Sequence, residues 1–322
     1  MSSTTPDSGG TATSFSNTPQ AQDDYYAYLE DLLRSNSTLY NSLTNTIYLD
    51  VMSNDLGGKA KTLFSIEDGD GNPITADYEL LAKDVNAAGC SPWEATLNGN
   101  WVRINNGKIE YRISDGSSTP GAGRSVDTLT AGEVFCDEFV YAIRLGNGTL
   151  SEATVKINIT GANDAASISV VGTPDTSATE AGGVANGTPG DPIASGQLQV
   201  NDIDSGENKF QAPPASSLNG TYGNFTFNNI TGQWTYTLDN GRPATEGLDT
   251  GDLVTETLTV TSWDGTASYT ITINIAGTDD QPTLAAVASG SIAEVDQSSA
   301  TTSSGLSGTL VGNDVDGDSL TY

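Results

Sequence analysis

Short acidic motifs recur along the chain and contain the residue types best suited to chemistry. Aspartates alternate in VGNDVDGDS (311–319) and in LQVNDIDSG (198–206), and VMSNDLGG (51–58) is a looser version of the pattern. Carboxylate and amide oxygens without His or Cys select hard cations, and calcium tolerates the irregular geometry that loops provide. The motifs therefore predict calcium binding, provided that the fold brings them together with further acidic residues.

Internal repeats indicate how the chain is organised. The acidic segments AQDD (21–24), GAND (161–164) and GTDD (277–280) each precede one of the motifs. KIEYRISDG (108–116) also aligns with QWTYTLDNG (233–241). LTAGEVFCDEFVYAIRLGNG (129–148) aligns with LDTGDLVTETLTVTSWDG (248–265). The sequence predicts a disordered tail at 1–20, a first unit at 21–162 with an inserted loop or hairpin between about 66 and 105, a second unit at 163–278, and the start of a third unit at 279–322.

Alternating side chains predict the fold of each unit. In SYTITINI (268–275) and ATVKINIT (153–160) apolar residues occupy every second position, as in half-buried antiparallel strands. Turn signals such as Asp264-Gly265 separate these runs. Only DDYYAYLEDLLRSNS (23–37) offers a helix, with an irregular first strand as the alternative. The predicted fold is all-β, with tandem immunoglobulin-like β-sandwiches and an incomplete third domain.

Such a sandwich would gather the acidic residues at its poles. The linker, the loop after the second strand and the last hairpin loop return to one pole, and carboxylates held together without Lys or Arg require a cation. The predicted calcium ligands are Asp23, Asp24, Asn54 and Asp55 for the first unit; Asn163, Asp164, Glu180, Asn201, Asp202, Asp204 and Asp264 for the second; and Asp279, Asp280, Asn313, Asp314, Asp316 and Asp318 for the third.

Composition excludes several classes of function. The net charge is −29, from 41 acidic and 12 basic residues, which disfavours nucleic acid and anionic membranes as partners. The chain has no histidine, which removes the commonest general base, the Ser-His nucleophile pair and the usual zinc ligand. Paired carboxylates could hydrolyse glycosides, but here they lie at repeat poles and not in a cleft. We therefore expect no enzyme activity.

Cysteines and targeting signals bear on the compartment. Cys90 and Cys136 allow one disulfide or two free thiols, and sequence alone leaves both open. No run approaches the roughly 20 apolar residues of a membrane span. The N-terminus lacks the basic start and apolar core of a secretory signal, so an extracellular protein would leave by another route or carry its signal outside this sequence.

The second unit resembles a known family. GTYGNFTFNNITGQWTYTLDN (220–240), LDTGDLVTETLTVTSWDG (248–265) and ITINIAGTDDQP (271–282) are similar to the VCBS repeat of large bacterial secreted adhesins. The resemblance is closest over 165–280, and 21–164 is nearer to the cadherin-like relatives of that repeat. It implies an extracellular, often type I-secreted adhesin or biofilm-matrix protein in which calcium stiffens the array of neighbouring repeats.

Two alternatives to a purely structural module remain. The array could bind a glycan or a cell-surface protein, with Trp93 and Trp101 as stacking platforms, whereas Trp234 is expected in the core. The third unit, with its apolar residues Leu284, Val287, Ile292, Leu306, Leu310 and Val311, belongs to a longer chain or is completed by another copy through strand donation, which would make a homopolymer.

Overall fold

A computed structural model of the protein describes residues 20–66, 80–81, 83–121, 123–291 and 306–321. The predicted tail before residue 20 lies outside the described residues, as does the EDGDGNP segment (67–73) of the predicted insertion. Contacts within the chain divide it into two compact units. Unit 1 comprises residues 1–164 and 203–205, and unit 2 comprises residues 165–202 and 206–322.

Unit 1 consists of two sheets that enclose an aliphatic and aromatic core. Their strand orders are β1-β9-β8-β4 and β2-β3-β7-β6-β5. β1 runs parallel to β9, and the other described pairs in this unit are antiparallel. The strands are β1 (Asp24–Leu29), β2 (Tyr40–Asn41), β3 (Thr46–Leu49), β4 (Thr62–Ile66), β5 (Glu94–Ala95), β6 (Trp101–Asn105), β7 (Lys108–Arg112), β8 (Val134–Arg144) and β9 (Leu150–Thr160), with the helix α1 (Glu30–Arg34) and 3-10 turns at Gly58–Ala60 and Val126–Thr128.

Unit 2 repeats this plan. Its sheets have the orders β10-β12-β14-β13 and β11-β16-β15, and β11 runs parallel to β16 as β1 does to β9. The elements are β10 (Ser167–Asp175), β11 (Ser177–Thr179), β12 (Ile193–Asn201), α2 (Ala215–Leu218), β13 (Gly223–Phe227), β14 (Gln233–Leu238), β15 (Leu253–Thr261), β16 (Ser268–Ala276), β17 (Thr283–Leu284) and β18 (Gly312–Asn313), with a 3-10 turn at Val184–Asn186.

Burial along the strands follows the alternation read from the sequence. Val155, Ile157 and Ile159 of β9 are fully buried, and Ile273 and Ile275 of β16 are as well, while the intervening side chains lie nearer to solvent. The predicted all-β class of tandem immunoglobulin-like sandwiches is confirmed. No described helix is long and apolar enough to cross a membrane.

The structure settles two open points and adds detail to a third. The segment 23–37 contains both proposed elements, since β1 ends at Leu29 and α1 begins at Glu30. Cys90 and Cys136 are free thiols. Within the region predicted as an insertion, the described residues include β5 and β6, which extend the second sheet of unit 1.

The short strands β17 and β18 contribute no residue to the buried core cluster of unit 2. The two strands pair over two residues each. Leu284, Val287, Leu306, Leu310 and Val311 are all more than half exposed, and Ile292 lies outside the described residues. The third unit predicted from residue 279 onward stays a prediction.

Candidate metal centres

Four carboxylates come together at matching positions of each unit. The first acidic cluster is Glu30, Asp127, Asp164 and Asp204, and the second acidic cluster is Glu180, Glu246, Asp280 and Asp316. The charges of the three aspartates act on Glu30, and those of the other three members act on Glu180. The sequence repeats relate the members pairwise, because Asp164 and Asp280 end the linkers GAND and GTDD, and Asp204 and Asp316 are the second aspartates of the D-x-D motifs.

The buried glutamate of each cluster is placed by the parallel strand pair. Glu30 follows β1 and Glu180 follows β11, so both lie where the last strand of the unit ends and the linker begins. Glu30 Oε2 accepts the Ala162 N–H at 2.9 Å, and Glu180 Oε2 accepts the Thr278 N–H at 3.3 Å. The same backbone contact thus fixes the same side chain in both units.

The second oxygen of each glutamate lacks a partner. Glu30 is 0% exposed and Glu180 is 1% exposed. Neither Glu30 Oε1 nor Glu180 Oε1 accepts a hydrogen bond from any described residue. Leaving a buried polar atom unsatisfied costs about 1–3 kcal/mol, and more when the group is charged. Each position therefore suits a ligand that brings positive charge.

The linker backbone holds the D-x-D motif in each cluster. The Asp164 N–H donates to Asp204 Oδ2 at 3.0 Å, and the Asp280 N–H donates to Asp316 Oδ2 at 2.6 Å. Asp204 is fully buried. Each contact leaves the linker aspartate's own carboxylate near the buried glutamate, which concentrates negative charge at the exit of the last strand.

A glycine at the start of each linker makes this close approach possible. A Cβ on Gly277 would lie 2.6 Å from the Asp249 carbonyl oxygen, and one on Gly161 would lie 2.3 Å from the Thr130 carbonyl oxygen. Both distances are shorter than any real carbon–oxygen contact of this kind. Any larger side chain would push the linker away from the loop that carries Asp249 or Thr130.

Burial and charge repulsion raise the pKa of both glutamates. Burial, followed by the nearby carboxylates of the cluster, raises the pKa of Glu30 to about 7, against the lowering effect of the Ala162 N–H. The pKa of Glu180 rises to about 7 for the same reasons. Burial and the Asp316 charge also raise the pKa of Asp280. A divalent cation among these groups would reverse the shifts, because it favours their ionised forms.

Ligand distances within unit 2 are compatible with calcium. Three sets of carboxylates each have one oxygen per residue within 4.8 Å of the others. Oxygen ligands at about 2.3–2.6 Å from a calcium ion are themselves at most about 5 Å apart. The sets are Glu180, Glu246 and Asp280; Asp249, Asp279 and Asp316; and Asp202, Glu207 and Asp264.

The predicted ligands at the start of unit 1 are already held by protein donors. The Tyr141 hydroxyl lies 3.0 Å from Asp24 Oδ2 and 3.2 Å from Asp55 Oδ2. Asp23 accepts the Thr154 N–H at 2.9 Å, and the Asn54 amide donates to main-chain carbonyls. Asp24 and Asp55 are thus brought together at Tyr141, and the Asn54 side chain and the Asp23 charge also act on Asp24.

The ligands predicted at the start of unit 2 do not form one group, and several of them make separate contacts. Asp202 and Asp264 lie together with Glu207. Asn201 is exposed, and its amide donates to Ser169 Oγ at 3.3 Å. The Asn163 amide donates to the carbonyl oxygen of its neighbour Asp164.

The expectation that Glu180 joins this group is wrong. Glu180 follows β11, whose last residue pairs with Ala276 at the end of β16, whereas Asp264 precedes the start of that strand. The nine residues of β16 span about 30 Å. Glu180 belongs with Asp280 in the second acidic cluster because β11 runs parallel to β16.

The remaining predicted ligands lie around the second acidic cluster. Asp279 lies with Asp249 and Asp316, and Asp314 Oδ1 accepts the Asp316 N–H at 3.1 Å. Asn313 is in β18, where it pairs with Thr283. Asp318 is exposed, and its charge contributes to the raised pKa of Asp249.

Sequence reasoning missed five carboxylates of these sets. Asp127 and Glu246 lie two residues before Leu129 and Leu248, where the alignment of LTAGE with LDTGD starts, so extending it would have found them. Glu30 and Glu180 share only their place directly after the strand that pairs in parallel with the last strand of each sandwich. The missed residues are Glu30, Asp127, Glu207, Glu246 and Asp249.

The tryptophans differ in burial and in their contacts with basic side chains. Trp234 is 3% exposed and lies in the core of unit 2, as predicted. The guanidinium carbons of Arg103 and Arg112 lie 4.6 and 4.3 Å from the Trp93 ring centre, and these contacts compete with ligand stacking. Trp263 is 48% exposed, with Lys209 Nζ 4.0 Å from its ring centre.

Comparison with known proteins gives only distant similarities. No protein-family model and no curated protein matches the chain. It is similar to a protocadherin gamma B4 extracellular domain (16% identity, TM-score 0.32, 92% of this chain and 38% of that one). It is also similar to Drosophila N-cadherin EC1-4 (13% identity, TM-score 0.29, 82% and 50%). The chain spans half or less of these two proteins, and scores this low carry no argument about function.

Proposed function

We propose that the protein is a calcium-binding structural module of an extracellular adhesin. The observation that carries the proposal is the buried glutamate oxygen without a partner, Glu30 Oε1 in unit 1 and Glu180 Oε1 in unit 2. Each lies beside three further carboxylates contributed by the same parts of the repeat. A calcium ion would satisfy the orphan oxygen and neutralise the repulsion in one step.

Specific residues would hold the ion in unit 2. Glu180, Glu246 and Asp280 offer oxygens within 4.8 Å of one another, and Asp316 is held against the Asp280 backbone. Asp249 and Asp279 lie close enough to Asp316 to bind a second ion that shares it. The donor set is all oxygen, which suits calcium better than zinc or copper.

The role of the ion would be to stiffen the chain. The ligands come from a sandwich, from the linker that leaves it and from the D-x-D motif further along the sequence. One ion bound to all three would convert flexible segments into a fixed arrangement and would add its binding free energy to folding. This behaviour suits a cell-surface adhesin or biofilm-matrix protein of the VCBS type, secreted by a type I route, as the sequence resemblance implies.

Calorimetric titration with calcium tests the proposal. The wild-type chain should bind calcium, and Glu180→Gln should lose binding at the second acidic cluster, because the amide brings no charge to the buried position. Glu152→Gln is the matched control, since Glu152 is an exposed residue of β9 outside both clusters. The proposal fails if the wild-type chain binds no calcium at millimolar concentration, or if Glu180→Gln binds as the wild type does.

A further inference from the structure

One basic side chain lies within the first acidic cluster. Arg34 Nη1 is 3.2 Å from Asp164 Oδ1 and 3.7 Å from Asp127 Oδ2, and Arg34 Nη2 is 3.6 Å from Asp31 Oδ1. Two of the four carboxylates of the first acidic cluster, Asp164 and Asp127, are thus paired with a guanidinium. The Arg34 side chain is 38% exposed, so it reaches the cluster from the solvent side.

The second acidic cluster has no such residue. Among the described residues, no Lys or Arg forms an ion pair with Glu180, Glu246, Asp280 or Asp316. Arg34 is four residues after the buried Glu30, and the residue four after Glu180 is Val184, which is 59% exposed. The two clusters therefore match in the positions of their carboxylates. They differ in that a basic residue pairs with the first, while only the second, among the described residues, offers three carboxylate oxygens within 4.8 Å of one another.

Local structure explains how Arg34 reaches the carboxylates. Glu30 is the first residue and Arg34 the last residue of α1. Residues four apart lie on the same face of a helix, so the turn that buries Glu30 directs Arg34 toward the same cluster. After β11 the chain instead passes through Gly182 and Gly183 to a 3-10 turn, and no equivalent helix forms there.

We propose that Arg34 is a built-in cation that takes part of the place of calcium, so that the first acidic cluster binds calcium more weakly than the second. The inference rests on the proposed function. A guanidinium can bond two carboxylates and always carries its charge, so it offsets part of the repulsion that would otherwise favour a divalent ion. To bind at full strength, calcium must displace Arg34 from Asp164 and Asp127.

This arrangement gives the chain two calcium thresholds. The second cluster would fill at low calcium, while the first keeps a metal-free structure held by Arg34. Only at higher calcium would the first cluster exchange its guanidinium for the ion. The two units of one chain would thus respond to different ranges of calcium concentration.

Replacing Arg34 in a chain that lacks the second cluster tests the inference. In a Glu180→Gln background, calcium is titrated into the full chain with Arg34 present and with Arg34→Met. We expect Arg34→Met to bind calcium at least about ten-fold more tightly, because one opposing charge within 4 Å of the ligands has been removed. Arg144→Met is the control: Arg144 lies in the same unit, is exposed and forms no ion pair with the first cluster.

Thermal unfolding of the same variants supplies a second measurement. Without calcium, Arg34→Met should melt at a lower temperature than the parent because its carboxylates are uncompensated, and calcium should restore that loss. A loss that calcium does not restore, or an affinity unchanged from the parent, would overturn the role of Arg34 while leaving calcium binding by the wild-type chain intact. If no variant binds calcium, both proposals are overturned.

Discussion

At the scale of single residues, the central feature is a carboxylate buried without a hydrogen bond to one of its oxygens. Glu30 and Glu180 reach this state through equivalent contacts with the linker backbone. A chain with net charge −29 gains nothing from burying a further carboxylate unless a cation accompanies it. The two glutamates are therefore the most informative positions to change.

The raised pKa values of these glutamates predict an unusual pH dependence of metal-free stability. Their pKa is about 7 in the folded chain against an ordinary value of 4.5, so between these values the folded state binds more protons than the unfolded state. The free energy of unfolding then falls as the pH rises through this range. In EDTA, the melting temperature should decrease from pH 5 to pH 7.5.

Substitution separates this effect from other titrating groups. Glu180→Gln mimics the protonated form, so in EDTA it should melt above the wild type at pH 7.5 and close to it at pH 5. Saturating calcium should remove the decrease in the wild type, because the ion favours the ionised carboxylate. A wild-type melting temperature that rises over this pH range in EDTA would contradict the assignment.

At the scale of elements, a buried tyrosine and carboxylate recur in both units. Glu256 of β15 accepts the Tyr236 hydroxyl at 2.9 Å and the N–H groups of Tyr222 and Gly223 at 3.0 and 3.2 Å. In unit 1, Asp137 of β8 accepts the Tyr111 hydroxyl at 2.6 Å. Both pairs tie a long strand of one sheet to a neighbouring hairpin of the other.

Removing the tyrosine hydroxyl tests this contribution to stability. Hydrogen bonds to charged groups contribute about 1.5–3 kcal/mol, so Tyr236→Phe should lower the free energy of unfolding by roughly that amount. Tyr269→Phe is the matched control, because Tyr269 is only half-buried and no hydrogen bond of its hydroxyl is described. Equal effects of the two substitutions in urea unfolding would show that the Glu256 contact is not the cause.

The elements also show what sequence could predict. Alternation in β9 and β16 was sufficient to assign strands and buried faces, because period-two patterning reflects burial directly. The parallel pairing of β1 with β9 and β11 with β16 left no signal in the local sequence, and it decides where Glu30 and Glu180 lie. The structure brings Asp280 and Asp316 together as expected, and it places Glu180 with them and not with the ligands expected at the start of unit 2. Metal binding by all three residues stays a prediction.

At the scale of the whole molecule, acidity affects stability in two separable ways. General repulsion among 41 acidic residues is screened by any salt, whereas the two clusters require a cation that binds oxygen ligands. An ion bound at one site adds about 2.7 kcal/mol to the free energy of unfolding when its concentration is one hundred times its dissociation constant. Calcium should therefore raise the melting temperature more than sodium does at equal ionic strength.

Thermal unfolding at constant ionic strength measures this difference. Replacing part of the sodium chloride by millimolar calcium chloride should raise the melting temperature, and the rise should shrink in Glu180→Gln. Magnesium should have a smaller effect, because it demands near-octahedral geometry and gives up its water reluctantly. Identical melting temperatures in the sodium and calcium buffers would mean that both salts act only by screening the repulsion between acidic residues.

Anomalous X-ray scattering from crystals grown with calcium would show whether a calcium ion occupies the second acidic cluster. We expect an anomalous peak about 2.3–2.6 Å from Glu180 Oε1 and from a carboxylate oxygen of Asp280. A well-ordered structure at millimolar calcium with no peak there, and with Glu180 still buried, would contradict it.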